Sequence, residues 1–425
     1  MKKIKWLIIF IALVNSLAAI EVINKDKTKL DINGRFQLLG TIQQLEDPYR
    51  DNRRFFLFMR QARLSVPGEY EDIQFKVQLA FAGEEEVKAP SPGGTLSLLD
   101  MYADMPVAGV TRLRFGQFKI PYSRERLLDS RDLQFSDRSI SNTAFRWGRD
   151  LGVAAHGDMK GFTYALGMFA GGGRDVPERY IPQHLGTPLF VARVGYNAGA
   201  DKDILTPEAS GLKVDKPVYA AYLNGLIQQD SSIGHSTVMN VKLAEKSLLT
   251  NSNWNPLIAR TPYSLGTLQQ VGVDVVYRMP ISQITLSTEL EAHFGRYTNG
   301  YGELNVPGGR IQTTANYKEV ELGLRYSLYR IDDFALFRNS KLYNLAPGGM
   351  KNTQEIALAF TWFMRENLKL IFHSSLIDSP VVTEKDIGVY STTEQPDQVT
   401  YVATGGNSIN RQTVTNLQML LQYYF

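Results

Sequence analysis

Apolar and polar residues alternate with a period of two along much of this chain, and the alternation returns in segment after segment. Read back from the C-terminus, Phe425, Tyr423, Leu421, Met419 and Leu417 share one face, while Tyr424, Gln422, Leu420, Gln418 and Asn416 share the other. Val320, Leu322, Leu324, Tyr326 and Leu328 alternate in the same way with Glu319, Glu321, Gly323, Arg325, Ser327 and Tyr329. The pattern recurs at Ile356, Leu358, Phe360, Trp362 and Met364. It returns at Ile284, Leu286, Thr288, Leu290, Ala292 and Phe294, whose opposite face carries Glu289, Glu291 and His293. Successive side chains of an extended strand point to opposite faces, so each stretch reads as a strand with one apolar and one polar side. No segment shows sustained helical spacing of apolar residues with caps, and aromatic and β-branched residues dominate the ordered stretches.

Charged residues opposite an apolar stripe, on one strand after another, imply a wet interior. A soluble sandwich turns its apolar faces together, whereas a membrane barrel turns them outward to lipid. The pattern therefore predicts an all-β fold, a transmembrane antiparallel β-barrel of sixteen strands near 29–40, 53–66, 71–82, 98–105, 110–119, 148–157, 161–170, 188–196, 216–228, 268–278, 281–296, 308–316, 318–330, 353–365, 367–376 and 413–425. Short connections such as Pro67–Tyr70, Pro106–Gly109, Asp158–Gly161, Met279–Pro280 and Arg365–Asn367 would lie at the periplasmic end. The long ones, 41–52, 83–97, 120–147, 171–187, 229–267, 297–307, 331–352 and 377–412, would lie outside the cell. Two places strain this parity: 197–215 is long where a short turn belongs, and 234–244 has strand character inside a long loop. The strand at 308–316 is the weakest, which leaves fourteen or eighteen strands as alternatives. Aromatics near strand ends, as at Tyr423 to Phe425, Tyr326 and Tyr329, and Trp362 and Phe363, suit girdles at the two membrane interfaces.

The first residues change the picture of where the chain goes. Lys2, Lys3 and Lys5 precede an apolar run from Leu7 to Val14 and the small residues Ser16, Ala18 and Ala19. That order is a secretory signal peptide, residues 1–19, with the barrel domain following over 20–425. Without the three leader lysines the 46 basic residues fall to 43 and equal the 43 acids. A globally basic surface is thus no argument for nucleic acid as a partner, and any preference for anions must come from where charges sit. There is no cysteine, so disulfides and thiolate metal sites are excluded.

Charge is concentrated in one stretch, Arg112 to Arg149. It holds nine Lys/Arg against Glu125, Asp129, Asp132 and Asp137, a net +5 over 38 residues. It lacks the apolar face of a core helix and is too long for a hairpin turn, so about 120–147 reads as a functional loop, one that can fold inward and narrow the lumen if the chain closes into a barrel. Guanidinium groups present planar forks of donors suited to oxyanions and stay charged at any relevant pH. Lys119, Arg124, Arg126 and Arg138 are the expected pore-facing charges, with Arg112 and Arg114 on the wall. Asp132 and Asp137 are expected to position the loop; the competing reading is that Arg131 and Arg138 simply pair with their acidic neighbours. By alternation Arg112 and Arg114 face the lumen if Leu113 and Phe115 face lipid. Lys119 joins them only if the strand ends or bulges between Gly116 and Phe118, which Gly116 and the following Pro121 make plausible.

Catalytic constellations are scarce. His156, His184, His235, His293 and His373 are dispersed without metal-ligand spacing, and Gly171 to Gly173 lacks a phosphate-loop context. Glu84 to Glu86 are oxygen donors of the kind calcium takes, but three adjacent acids in an exposed loop are more often solvated. The reading is of a non-enzyme with no cofactor and no metal.

Three runs carry a resemblance. Gly116-Gln-Phe-Lys-Ile-Pro-Tyr122, Phe135-Ser-Asp-Arg-Ser139 and Arg149-Asp-Leu-Gly-Val153 resemble the phosphate-selective porin family, the O and P type porins of Gram-negative outer membranes, in its GQFKxP[FY] and F-x-[DE]-R-S patterns and its return strand. Val320 to Ser327, Ala359 to Trp362 and the terminal Phe425 match more weakly. The resemblance implies a homotrimer of sixteen-stranded barrels with the third loop inward, inserted into outer-membrane lipid by the barrel assembly machinery, and passive diffusion of small inorganic anions, with phosphate or polyphosphate as the solute. The rival readings are a weakly selective general porin, a barrel enzyme such as a lipase, and an adhesin with a plugged lumen. Glu289, Glu291, Glu319 and Glu321 weigh toward the first rival, since on lumen faces they offset a positive lining.

Overall fold

The computed structural model describes residues 20–25, 27–47, 50–82, 96–145, 147–171, 188–232, 265–299, 302–330, 353–381, 387–391, 399–403 and 410–425. The expected leader, the Glu84 to Glu86 run, His184, and the strand-like 234–244 with His235 lie outside these residues.

A six-residue strand β1 (Ile20–Lys25) folds against the start of β2 (Thr28–Asp47). There follow β3 (Arg50–Tyr70), β4 (Ile73–Ala82), β5 (Ser97–Ala108), β6 (Thr111–Lys119), β7 (Arg149–Met159), β8 (Phe162–Phe169) and β9 (Leu189–Ala198). The second half comprises β10 (Val218–Ser232), β11 (Leu265–Ile281), β12 (Ile284–Asn299), β13 (Gly302–Tyr317), β14 (Val320–Tyr329), β15 (Thr353–Arg365) and β16 (Leu368–Val381). A separate hairpin, β17 (Ile387–Ser391) and β18 (Val399–Ala403), precedes β19 (Asn410–Tyr424). From β2 to β16 each strand pairs antiparallel with the next, β16 pairs with β19, and β19 pairs with β2. The ring is therefore closed with sixteen strands, and each of the sixteen expected segments is one of them. Closure leaves no unpaired edge within the sixteen-strand ring, which is what lets a sheet cross lipid.

Side-chain facing follows the sequence pattern. On β14, Leu322, Leu324 and Tyr326 are 57%, 55% and 38% exposed, while Glu321, Arg325 and Ser327 are buried inside. Exposed aromatics mark the short-turn end, among them Tyr70, Phe162, Tyr196, Tyr219, Tyr277, Tyr317 and Trp362. Turns there are tighter than the sequence suggests, two residues each at 71–72, 109–110, 160–161, 282–283, 318–319 and 366–367. Two connections expected to be long are largely strand: β2 runs to Asp47 before β3 begins at Arg50, and β12 runs to Asn299 before β13 begins at Gly302. The apolar alternation marks only the lipid-embedded part of a strand, whereas backbone pairing continues past the lipid wherever both partners are extended.

Candidate functional site

The chain from Ile120 to Gly148 crosses the lumen. Its side chains are bound to interior positions all round the ring: Ser130 Oγ donates to Gln61 Oε1 (2.9 Å), Gln134 Nε2 to Thr314 Oγ1 (2.6 Å), and Trp147 Nε1 to Gln270 Oε1 (2.7 Å). Ser136 Oγ bridges His373 and Gln418, and Ile140 N donates to Glu355 Oε2 (3.0 Å). Two helical turns, Arg124–Leu127 and Ile140–Ala144, are tied to each other, since both Ser139 N and Ser139 Oγ donate to the Glu125 carboxylate (2.8 and 2.6 Å). Phe135 sits under the Arg325 guanidinium, 4.3 Å from ring centre to carbon, and packs on Ala357 and Ala359. The motif run Phe135 to Ser139 is thus an anchoring device.

Two of the glutamates that weighed against a positive lining, Glu289 and Glu291, are spent on these anchors. Arg310 Nη2 reaches Glu289 Oε2 (2.8 Å) and Glu291 Oε1 (2.7 Å), and its Nε lies 3.4 Å from Glu125 of the loop. Glu291 also accepts from Ser123 Oγ and Glu125 N, both at 2.7 Å. Glu321 accepts from Gly211 N (2.9 Å), and Glu319 is an exposed turn residue at the short-turn end. The acidic wall of β12 to β15 is covered by the loop and taken out of the water path.

Open space is left on the opposite wall. A cavity of about 370 Å³ is lined by Arg35, Arg63, Lys76, Arg131 and Lys202 with Asp129, beside Tyr424 and Phe425 at the short-turn end. It adjoins a second of about 230 Å³ that shares Lys76, Arg131, Lys202 and Asp129 and adds Arg114, Lys119, Arg149, Asp100, Asp132 and Glu208. Eight cations thus face four carboxylates along one passage. Several are paired: Lys76 with Asp100 (3.1 Å), Arg149 with Asp100 (2.6 Å), Arg35 with Asp129, and Arg131 with Asp132 (3.3 Å). Burial alone would raise the Asp129 carboxyl, but Arg35, Lys119 and Arg131 hold it well below the usual carboxylate range. Burial raises Asp132, and Arg131 only partly opposes it.

The predicted site residues separate into four groups. Arg114 and Lys119 line the passage. Arg114 bonds Asp104 and stacks 4.4 Å from the Tyr102 ring, while Lys119 Nζ donates to the Leu127 and Leu128 carbonyls (2.8 Å each). Lys119 reaches the passage from the last position of β6 without the early strand end or bulge between Gly116 and Phe118 that strict alternation would require: the register with β7 is unbroken through Lys119, and Gly116 takes φ +120° where a Cβ would meet Met101 O at 2.3 Å. Arg112, on the wall, bonds Asp104 and the Asp72 carbonyl. The expectation that Arg124 and Arg126 face the pore is not met. Arg124 is 0% exposed and ion-paired with Asp201, and Arg126 is 3% exposed and donates to Trp147 O (2.6 Å). Partners on distant strands and on 199–217 draw them into the loop's underside.

Arg138 braces the loop internally through Glu125 O (3.1 Å) and Leu128 O (3.0 Å). Asp137 reaches Arg60 of β3 (3.0 Å), and the Asp132 carbonyl accepts from Ser210 N (3.0 Å). Sequence reading missed Arg35, Arg63, Lys76 and Lys202 as lining residues. Alternation of Arg35 and Arg63 with apolar neighbours was the available signal for the first two; nothing local marks Lys202.

Comparison with known proteins agrees with this geometry. Residues 31–211 match the family model described as phosphate-selective porin O and P, the family whose motifs the sequence resembles. The fold is similar to that of an anion-selective porin from Comamonas acidovorans (12% identity, 94% of this chain and 100% of that chain, TM-score 0.54). It is also similar to OmpT of Vibrio cholerae in its trimer form (12%, 94% and 100%, TM-score 0.51) and to the outer membrane channel DcaP of Acinetobacter baumannii (12%, 96% and 100%, TM-score 0.51). No curated protein sequence matches. The family match and the porin fold indicate an outer-membrane channel of a Gram-negative bacterium, not an enzyme.

Proposed function

We propose that the channel passes small inorganic anions by passive diffusion, with phosphate or polyphosphate as its best-fitting solute. The observation behind this reading is the split of charge across the lumen: the acids of β12 to β15 are buried as loop anchors, while the open passage keeps eight cations against four carboxylates. A narrow aqueous path with a net positive lining admits anions and repels cations. Among the predicted residues, Arg114 and Lys119 act on the ion directly, Arg112 contributes to the wall potential, and Asp132, Asp137 and Arg138 hold the loop. Arginine and lysine side by side suit a tetrahedral oxyanion, which accepts several charge-assisted hydrogen bonds at once. The chain is exported by its leader, inserted in outer-membrane lipid by the barrel assembly machinery, and assembled as a homotrimer, as the trimer form of OmpT is.

Zero-current potential in a planar bilayer under a potassium chloride gradient tests the reading. Anion preference, with chloride current blocked by added phosphate, is the expected result. Cation preference defeats the anion reading, and anion preference without block defeats phosphate as solute. The ion pairs of Lys76, Arg35 and Arg131 favour a second reading, a weakly selective general porin, for which the potential would sit near zero.

A further inference from the structure

The six described two-residue turns at the short-turn end contrast with the connection between β9 and β10, which runs from Gly199 to Pro217 and turns into the lumen. Ala200, Ile204, Leu205 and Ala209 are each at most 5% exposed. Ile204 and Leu205 pack against wall residues including Tyr222 and Val276, and Ala209 packs against Leu128 and Leu133 of the loop. Two inward segments, entering from opposite ends of the barrel, therefore meet in the middle.

Their junction is fastened by charge. Asp201 takes the Arg124 guanidinium and the Tyr222 hydroxyl (3.2 Å), and Arg278 donates to the Ala200 and Glu208 carbonyls. Ser210 N donates to Asp132 O, and Lys369 Nζ spans Leu133 O (3.1 Å) and Ser210 Oγ (3.2 Å). The turn itself is built by two side chains. Asn197 Oδ1 accepts from the amides of Gly199, Ala200 and Asp201 (3.1, 3.0 and 3.2 Å). Asp203 Oδ1 accepts from Leu205 and Thr206 (2.7 and 2.8 Å).

Lys202 stands between these two fixed points. It is exposed, lines both cavities, and has no hydrogen bond or ion pair among the described residues, whereas Lys76, Arg35 and Arg131 are each tied to a carboxylate. We infer that the Gly199–Pro217 connection is the second half of the constriction and that Lys202 is its specificity-determining residue, offering an unpaired ammonium to the passing anion while Arg124 and Asp201 hold it in place. The inference rests on the anion passage proposed above and assigns its selectivity to a segment outside the inward loop.

The cysteine-free chain allows a direct test in planar bilayers. Lys202→Cys should lower the anion-to-cation permeability ratio, and Lys202→Glu should lower it at least about threefold, the size of a close charge change in an aqueous pore. Aminoethyl methanethiosulfonate, which places an ammonium on the Cys sulfur with loss of methanesulfinate, should restore the ratio; the sulfonatoethyl reagent should not. Lys216→Glu, an exposed site on the same connection with the same change in net charge, should have a smaller effect. Unchanged selectivity in the Lys202 variants while Lys76→Glu or Arg131→Glu shifts it would overturn the inference and leave the anion passage standing. An effect of Lys216→Glu equal to that of Lys202→Glu would also overturn it. If none of these charges matters, the anion passage itself falls.

Discussion

Replacing Arg310 by methionine should undock the inward loop without unfolding the barrel. Arg310 is 1% exposed and lies between Glu289 and Glu291 on β12 and Glu125 of the loop, whose side chains are 0%, 2% and 4% exposed. Its loss leaves three buried carboxylates with Arg124 (3.6 Å from Glu289), Arg325 (3.9 Å from Glu125) and the His293 ring (3.1 Å from Glu291) as the ion-pair partners that remain among the described residues. Removing one partner of a buried ionic set costs about 3–5 kcal/mol, because the remaining charges keep their desolvation penalty. At about 1.4 kcal/mol per decade, that is roughly two to three and a half powers of ten in the docking equilibrium. The ring of sixteen paired strands does not depend on this contact, so the penalty falls on the loop. Single-channel recording should show a larger, noisier conductance with reduced anion preference, while the barrel keeps its heat-modifiable migration. Arg310→Met combined with Glu289→Gln and Glu291→Gln should recover most of the quiet conductance, since an uncharged set of similar size carries no such penalty. Wild-type conductance in the single variant, or a triple variant worse than the single, would refute the reasoning.

Three further outcomes follow from the same geometry. Acidification should raise anion preference, read as zero-current potential: burial lifts the Asp132 carboxyl above its ordinary range, so this lining charge is lost as pH falls sooner than for an exposed aspartate. Its raised folded value means ionised Asp132 opposes loop docking and protonation relieves this, whereas Asp129 and Asp201, held low by Arg35 and Arg124 against the effect of burial, contribute stability lost only as pH falls through their depressed values. Gly116→Ala should lower the yield of folded barrel on unheated gels, because φ +120° costs an L side chain about 1–3 kcal/mol in backbone strain, before the 2.3 Å approach of its Cβ to Met101 O is counted. Leu324→Arg, on the lipid face, should destabilise the barrel toward urea by about 2–4 kcal/mol if it lies near the midplane, with unit conductance unchanged.

Most of the barrel was legible along the chain. Alternation at 284–296, 320–328, 356–364 and 417–425 fixes both the strands and their facing, because lipid and water act on each residue through its own side chain and need no distant partner. The same local logic assigns Arg112 and Arg114 to the lumen wall and reads the inward loop from its length and charge. The fate of each cation was not local. Arg124 is neutralised by Asp201, 77 residues on, Arg35 by Asp129, 94 residues on, and Lys202, without a partner among the described residues, reaches the passage only because the connection carrying it folds up from the far end. Strand facing is decided by solvent on either side of one segment, but whether a charge stays available to an ion depends on which opposite charge the closed barrel brings beside it. Only the tertiary structure decides that, because Coulomb attraction in a buried site acts between neighbours in space whatever their separation in sequence.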